Sequence, residues 1–163
     1  MGPSEGIKIV ATNPNASRHY EFKEFVEAGL LLTGTEIKSI RAHSPNLADS
    51  FVEVFLRNGK AEAFLVGAHI APYSHGNIWN HEPVRRRKLL LHRHQIEKMF
   101  GAVQMDGMTI VPTKIYLKKG YAKIELAVAK GRRKGDKRAA HREKTDRRDI
   151  RQASQKSKAQ KRQ

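Results

Sequence analysis

The sequence changes character at Lys130, and this change limits how much of the chain can fold. From Lys130 to Gln163 there are 15 lysine and arginine residues against four acidic ones, a net charge of +11, which leaves +5 of the total +16 for residues 1–129. Ile150 is the only large aliphatic residue of that stretch. Because so little apolar surface cannot offset the entropy of ordering, we expect a tail that is disordered in isolation and that binds a polyanion.

Residues 1–129 are long enough for one modest hydrophobic core, so we predict a single folded domain followed by a tail at 130–163. The chain has no cysteine, which excludes a disulfide framework, a thiolate nucleophile and a cysteine-ligated zinc site. No apolar run approaches the roughly 18 to 20 residues of a membrane span, and residues 1–6 lack the features of a signal peptide. We therefore expect a monomer in the cytoplasm with no membrane partner.

Turn residues predict two hairpins. Strands at 51–56 and 61–66 flank Asn58-Gly59, a dipeptide that tolerates positive φ at both positions and favours a type I′ turn. Strands at 109–117 and 121–129 alternate around Lys118-Lys119-Gly120, and Pro112 predicts a bulge or an edge in the first of them. Hairpins without βαβ alternation favour a mainly β fold, a small antiparallel barrel decorated by helices.

The remaining elements are read from caps and periodicity. We predict a strand at 7–10, a break at Asn13-Pro14-Asn15, a strand from Tyr20 with a bend at Gly29, and a helix at 34–42 with Glu36 in its first turn. Apolar residues at helical spacing predict an amphipathic helix at 93–105 that ends near Gly107. The long loop at 71–84, which carries Trp79, has the length of a functional loop.

Catalytic and metal chemistry find no support in the residue spacing. The eight histidines include no pair four residues apart on the amphipathic helix, and His92 and His94 are expected on different sides of a helix. Neither a nucleophile elbow nor a phosphate-binding loop of the Walker type is present. We expect no cofactor, no metal and no enzymatic activity.

Basic segments indicate binding to nucleic acid without specifying it. The four cations Arg85 to Lys88 are not expected to be balanced locally, and either a solvated basic face or a phosphate contact explains them. The tail could be a nonspecific tether, a localisation signal or a segment that folds on RNA, and composition leaves all three open. A generic basic module that binds RNA by charge alone is the alternative to a specific partner.

Specific strings narrow this choice, because they occur in one order along nearly the whole chain. Together they resemble the SmpB family, the SsrA-binding (tmRNA-binding) proteins of bacterial trans-translation. The strings are Glu27-Ala28-Gly29-Leu30, Gly34-Thr35-Glu36-Ile37-Lys38-Ser39-Ile40-Arg41, His69-Ile70-Ala71-Pro72-Tyr73, Arg87-Lys88-Leu89-Leu90-Leu91-His92, Val111-Pro112, Ala129-Lys130-Gly131 and Asp136-Lys137-Arg138.

The resemblance implies an OB-like antiparallel β-barrel with three helices. It implies that the body binds the tRNA-like domain of tmRNA, so that alanyl-tmRNA can enter a stalled ribosome. It further implies that the tail lies in the decoding centre and the empty mRNA channel of the small subunit, where it orders as a helix.

Site residues follow from the resemblance position by position. Glu36 matches an acidic residue that helps to hold the tRNA-like domain, and its replacement is expected to weaken binding at a nearly unchanged melting temperature. The other matched tmRNA-binding positions are Leu90, His92, Lys123, Arg18, His19 and Tyr20, and the tail positions are Lys130, Arg132, Arg133, Lys134, Asp136, Lys137 and Arg138. Two segments depart from the family pattern. In the first, Pro14 and Asn15 stand where the family has two basic residues, and Arg18 replaces a histidine. In the second, Gly135 stands where Tyr or His is common before Asp136.

Overall fold

The structure is a computed structural model that describes residues 6–132, 142 and 144–153. The chain divides into two compact units, Met1–Gly131 and Arg132–Gln163. Within residues 6–132 the first unit contains seven β-strands and three α-helices. The strands are β1 (Ile7–Thr12), β2 (Tyr20–Leu30), β3 (Phe51–Arg57), β4 (Lys60–Val66), β5 (Arg87–Leu90), β6 (Thr109–Lys118) and β7 (Tyr121–Gly131), and the helices are α1 (Pro14–His19), α2 (Gly34–Ala42) and α3 (Arg93–Asp106).

All seven strands join one antiparallel sheet in the order β1-β6-β7-β2-β5-β4-β3. β3, at one end of this order, lies against β6 near the other end, so the sheet curls around its own inner face. The prediction of a mainly β, antiparallel fold decorated by three helices is therefore confirmed. Among the described residues, no helix is both long enough and apolar enough to span a bilayer.

Both hairpins form where turn chemistry predicted them. Asn58 and Gly59 have φ of 49° and 74°, the positive values that a type I′ turn requires at both positions. Lys119 and Gly120 do the same between β6 and β7, with φ of 51° and 80°. The register of β6 against β7 shifts between Pro112 and Lys114, which confirms the predicted bulge.

The main core fills the inner face of the sheet. Alternate residues of each strand point inward, and α2 and α3 cover the same core with Ile40, Ile96 and Met99, all at most 4% exposed. A capping box starts α2, since Glu36 N donates to Thr33 Oγ1 and Thr33 N donates to Glu36 Oε2. Gly107 ends α3 in the left-handed conformation, φ 63°, as the sequence predicted.

A smaller apolar cluster lies on the outer face, and the helix that covers it was not predicted. Asn13-Pro14-Asn15 follows the end of β1 at Thr12, as predicted, but Pro14 also begins α1, because proline at a first helical position has no amide hydrogen to satisfy. The buried Asn13 fixes this start, its side-chain Nδ2 donating to Pro112 O at 2.9 Å. α1 thereby covers Ala127 and Ala129 with Ala16.

Gly29 is part of β2, so the expected bend there is wrong. It pairs with Leu90 of β5 on one side and with Lys123 of β7 on the other. A methyl group at Gly29 would lie 3.0 Å from Leu90 Cβ and 3.3 Å from Leu90 Cδ1, closer than ordinary van der Waals contact. The glycine is needed because it leaves room for the neighbouring side chain.

The basic tail is described in part. Lys130 and Gly131 belong to β7, where they pair with Glu21 and Tyr20. Residues 144–153 are helical with exposed side chains. The expectation of disorder in isolation otherwise falls on residues outside those described, and it stays a prediction.

Candidate RNA interface

The predicted residues Leu90 and Lys123 come together on the outer face of the sheet. Both are direct partners of Gly29, so a single row crosses β5, β2 and β7 in the order Leu90, Gly29, Lys123. Leu90 is 53% exposed, whereas its neighbour Leu89 points inward and is 2% exposed. An apolar side chain and a cation thus stand on either side of a glycine, whose missing side chain leaves room for Leu90.

His92 extends this row at the end of β5. It is the N-cap of α3, and its amide donates to Gln95 Oε1 at 3.0 Å. The expectation that His92 and His94 point to different sides is wrong, because the cap residue lies outside the helix. Their rings stack instead, with centroids 5.6 Å apart and planes 11° apart. Two exposed, parallel imidazoles therefore follow β5, two and four residues after Leu90.

Arg18, His19 and Tyr20 lie at the end of α1, on the same outer face as Lys123. Arg18 and His19 are exposed, and Tyr20 is half-buried against the outer apolar cluster. Tyr20 begins β2 and pairs with Gly131, at the far end of β7 from Lys123. This group is separated from the row at Gly29 by the length of β7 between Lys123 and Gly131, in which each residue adds roughly 3.3 Å.

Between these two groups the outer face is acidic and hydrogen-bonded. Glu27 and Glu125 are direct cross-strand partners, and Lys114 Nζ lies 3.1 Å from Glu125 Oε2. The Tyr116 hydroxyl donates to the Glu27 carboxylate. Burial and this hydrogen bond raise the pKa of Tyr116, so the phenol keeps its proton.

Glu36 is fully buried and accepts four hydrogen bonds. Its Oε1 accepts from Arg85 Nε at 2.9 Å and from Arg87 Nε at 3.0 Å. Its Oε2 accepts from Arg85 Nη2 and from the Thr33 amide, both at 2.9 Å. Since the side chain has no exposed surface, the carboxylate in this arrangement acts on other residues, chiefly on Arg85, which is 35% exposed.

Arg87 connects the same carboxylate to the long loop. It is fully buried, and its guanidinium donates to Ala68 O at 2.8 Å, Arg85 O at 2.9 Å and Pro83 O at 3.0 Å. The cluster formed by Glu36, Arg85 and Arg87, here called the carboxylate hub, thus ties α2 to the end of the loop at residues 82–85.

The pKa values of the carboxylate hub follow its geometry. Burial disfavours the charged form of Glu36, but the hydrogen bonds from Arg85 and Thr33 and the charge of Arg87 outweigh it, so the pKa lies below the ordinary 4.5. The hydrogen bond to Glu36 raises the pKa of Arg85. Burial lowers the pKa of Arg87 against the opposing charge of Glu36, and the guanidinium stays protonated.

The run Arg85 to Lys88 is only partly balanced, as the sequence led us to expect, because its four cations share three carboxylates. Each cation of this run lies within 4 Å of a carboxylate that is distant in sequence. The pairs are Arg85 and Arg87 with Glu36, Arg86 with Glu53 at 3.0 Å, and Lys88 with Glu62 at 3.9 Å. Strand alternation splits the run, since Arg87 points inward while Arg86 and Lys88 point outward beside Leu90.

Sequence reasoning missed an aromatic support for Arg86. Its guanidinium lies 4.1 Å from the ring centroid of Phe64 and 5.0 Å from that of Phe55, and Arg57 lies 5.0 Å from Phe55 on the same outer face. Alternation in the predicted hairpin could have placed Phe55 and Phe64 outward. Their partner Arg86 could not be found, because it belongs to another strand.

The predicted tail residues are only partly described. Lys130 is exposed at the end of β7, and Arg132 follows it half-buried. Arg133, Lys134, Asp136, Lys137 and Arg138 lie outside the described residues, as does Gly135. Within the part of the chain that the structure describes, no group of three or more His, Asp or Glu side chains is arranged to hold a metal ion.

Known proteins match this chain along almost its whole length. The family described as SmpB protein matches residues 10–156. The SsrA-binding protein of Streptococcus sanguinis (strain SK36) is 51% identical over 150 residues, which cover 92% of this chain and 94% of the relative. The SsrA-binding protein of Desulfitobacterium hafniense (strain DSM 10664 / DCB-2) is 50% identical over 147 residues, 90% of this chain and 92% of the relative.

A solved structure shares the fold. This structure is described as "tmRNA-SmpB: a journey to the center of the bacterial ribosome". One of its chains superposes on this chain with a TM-score of 0.62 at 40% sequence identity. The match covers 81% of this chain and 94% of that chain.

Proposed function

The chain belongs to the SmpB protein family, and on that premise we propose that it binds the tRNA-like domain of tmRNA and delivers alanyl-tmRNA to stalled ribosomes for trans-translation. The body, residues 1–129, binds the RNA. The tail, residues 130–163, enters the decoding centre and the empty mRNA channel of the small subunit. The proposal contains no catalytic step, cofactor or metal, and it places the protein in the cytoplasm, where ribosomes translate.

The observation that carries the RNA-binding part is the row Leu90, Gly29, Lys123. Three residues from distant parts of the sequence, two of which the family resemblance singled out, lie in direct register on one exposed face. Lys123 is positioned to meet a phosphate, Leu90 to pack on a sugar or base, and the stacked pair His92 and His94 to meet a base plane. Arg18 and His19 add exposed donors on the same face.

Glu36 supports this surface from inside the fold. Direct contact between its carboxylate and RNA would require the carboxylate hub to open. In the closed arrangement Glu36 instead fixes the direction of Arg85, whose guanidinium is partly exposed. We therefore assign Glu36 a positioning role and Arg85 the contact with RNA.

The tail's part of the proposal rests on charge and on the extent of the family match. A net charge of +11 favours a site enclosed by RNA phosphates, and the match continues to residue 156. The exposed helix at 144–153 is consistent with a segment that becomes helical in such a site. Gly135 removes one stacking ring from the family pattern, so Asp136, Lys137 and Arg138 carry the contact at the decoding centre.

The test compares two RNAs at one physiological salt concentration. We expect the purified chain to bind the tRNA-like domain of tmRNA more tightly than an ordinary tRNA of equal length. Lys123→Ala is expected to weaken only the tmRNA complex, while Lys8→Ala, which removes an exposed lysine from the edge strand β1, leaves it unchanged. Equal affinity for both RNAs, with equal losses in both variants, would instead identify a basic protein that binds RNA by charge alone.

A further inference from the structure

The long loop presents two large apolar side chains to solvent. Ile78 and Trp79 lie in a short 3₁₀-helix, Asn77–Trp79, and are 87% and 84% exposed. A tryptophan ring that stays in water loses the favourable free energy of burial, and tryptophan is therefore usually found in a core or at an interface. The position of Trp79 therefore needs an explanation beyond packing.

The loop is fixed on both sides of the tryptophan. The Asn80 side chain bridges the backbone of Tyr73, accepting from its amide at 3.0 Å and donating to its carbonyl at 2.6 Å. The ring of His81 lies between Thr35 Oγ1 at 2.8 Å and Ile70 O at 3.0 Å. These contacts attach the loop to α2, so Trp79 is held outward on an ordered base.

The loop is also attached to the proposed RNA-binding machinery. Arg87 of the carboxylate hub donates to Pro83 O, and Ser39 of α2 donates to Ala71 O at 2.5 Å. Lys38, on the same helix, has its ammonium 5.6 Å from the ring centroid of Tyr73, at the base of the loop. An exposed aromatic ring on an anchored loop, with a cation at the base of that loop, is a combination that can bind unpaired nucleotides, through stacking on the base and attraction to the phosphate.

We propose that Trp79 stacks on an unpaired base of the RNA that the body binds, with Lys38 attracting the neighbouring phosphate. The proposal deepens the function given above and rests on it. The net charge of +5 on residues 1–129 favours a polyanion over an apolar protein segment as the occupant of this site. A base is flat and accepts stacking from any aromatic ring, so the site requires an unpaired nucleotide and no particular base.

The chain offers a direct probe, because Trp79 is its only tryptophan. The full-length protein is titrated with the tRNA-like domain of tmRNA while tryptophan emission and the anisotropy of labelled RNA are recorded together. We expect emission to be quenched with the same midpoint as the anisotropy change, and the ring to become inaccessible to acrylamide. Anisotropy that rises while emission and acrylamide quenching stay constant overturns the inference and leaves the proposed function intact. Absence of any anisotropy change overturns both.

Variants separate stacking from simple apolarity. Trp79→Ala is expected to weaken binding about tenfold, within the range for loss of one stacked base, and Trp79→Phe to restore most of it. Met105→Ala is the matched control, since Met105 on α3 is 86% exposed, and its affinity is expected to equal that of the wild type. Because neither side chain is buried, all three variants should keep the wild-type melting temperature. Wild-type RNA affinity in Trp79→Ala would overturn the inference.

Discussion

Glu36 is the buried carboxylate on which polar contacts from α2, Arg85 and Arg87 converge. One carboxylate closes the cap of α2, pairs with two guanidinium groups and, through Arg87, holds the end of the long loop. Removing one member of a buried ion pair leaves an uncompensated charge, which costs about 3–5 kcal/mol. The sequence led us to expect a nearly unchanged melting temperature on loss of Glu36, and its burial reverses that expectation.

We predict that Glu36→Gln lowers the free energy of unfolding by about 3–5 kcal/mol near pH 7, and that this difference shrinks in acid. A carboxyl with a lowered pKa in the folded chain stabilises fully above its unfolded value of 4.5, and its contribution is lost as pH falls through the folded value. Urea unfolding of both proteins between pH 3 and pH 7 measures the difference.

Glu53→Gln serves as the control for this experiment. It removes the carboxylate of the exposed pair with Arg86, in which both side chains are more than a third exposed, so its effect should stay below about 1 kcal/mol. A pH-independent difference between the wild type and Glu36→Gln would show that Glu36 stabilises the fold by packing and not by charge.

Gly29→Ala tests the row at the proposed interface. The added methyl would lie 3.0 Å from Leu90 Cβ, so the two strands must shift, and we expect a loss of about 1–3 kcal/mol in stability together with weaker tmRNA binding. Thermal melts and RNA titrations measure the two effects.

The matched control is Gly101→Ala in α3, where an added methyl has no described atom within 4 Å. Alanine should there raise stability by about 1 kcal/mol without changing RNA affinity. Tighter or unchanged tmRNA binding in Gly29→Ala would remove Leu90 from the interface.

At the scale of elements, local chemistry decided what could be predicted. Both hairpins were found because Asn58-Gly59 and Lys119-Gly120 can adopt positive φ, and α2 and α3 because their caps and apolar spacing are local signals. α1 was missed because Pro14 fits both a turn and a first helical turn, and only the tertiary contact of Asn13 with Pro112 decides between them.

The site depended on long-range pairs that no local signal contains. Glu36 and Arg85 are 49 residues apart, and the row at Gly29 joins three strands whose order follows from the closed sheet. The sequence therefore predicted the identity of the site residues. It did not predict which of them are in contact. The family resemblance named Leu90 and Lys123, but their shared neighbour Gly29 required the structure.

The tail helix is expected to be marginal outside its binding site. Like charges stand four residues apart at Lys144 and Arg148 and at Arg147 and Arg151, and such pairs destabilise an isolated helix. We predict little helical circular dichroism for a peptide of residues 130–163 in buffer and a rise on adding single-stranded RNA. Lys144→Glu, which puts a carboxylate four residues before Arg148, should raise helicity in buffer. Strong helicity of the unmodified peptide alone would contradict a tail that folds on binding.

At the scale of the whole molecule, we expect that loss of the tail removes its proposed function on the ribosome and leaves RNA binding by the body in place. A chain truncated after Gly135 keeps every strand and helix of the first unit, so tmRNA affinity at physiological salt should stay nearly intact. Peptide tagging on stalled ribosomes should be abolished, because the segment proposed for the mRNA channel is gone. Filter binding and a tagging reaction in a translation extract measure the two properties. Loss of RNA affinity on truncation would mean that the tail is an electrostatic tether.

The position of β7 in the sheet has a mechanical consequence. This eleven-residue strand leads into the tail and is hydrogen-bonded along both sides, to β6 and to β2. Ladder hydrogen bonds run perpendicular to the strands, so a pull along the tail loads many of them in parallel, as shear, and does not peel them one by one. A force applied at Gly131 would therefore be shared by β6, β7 and β2 and would pass into the sheet as a whole.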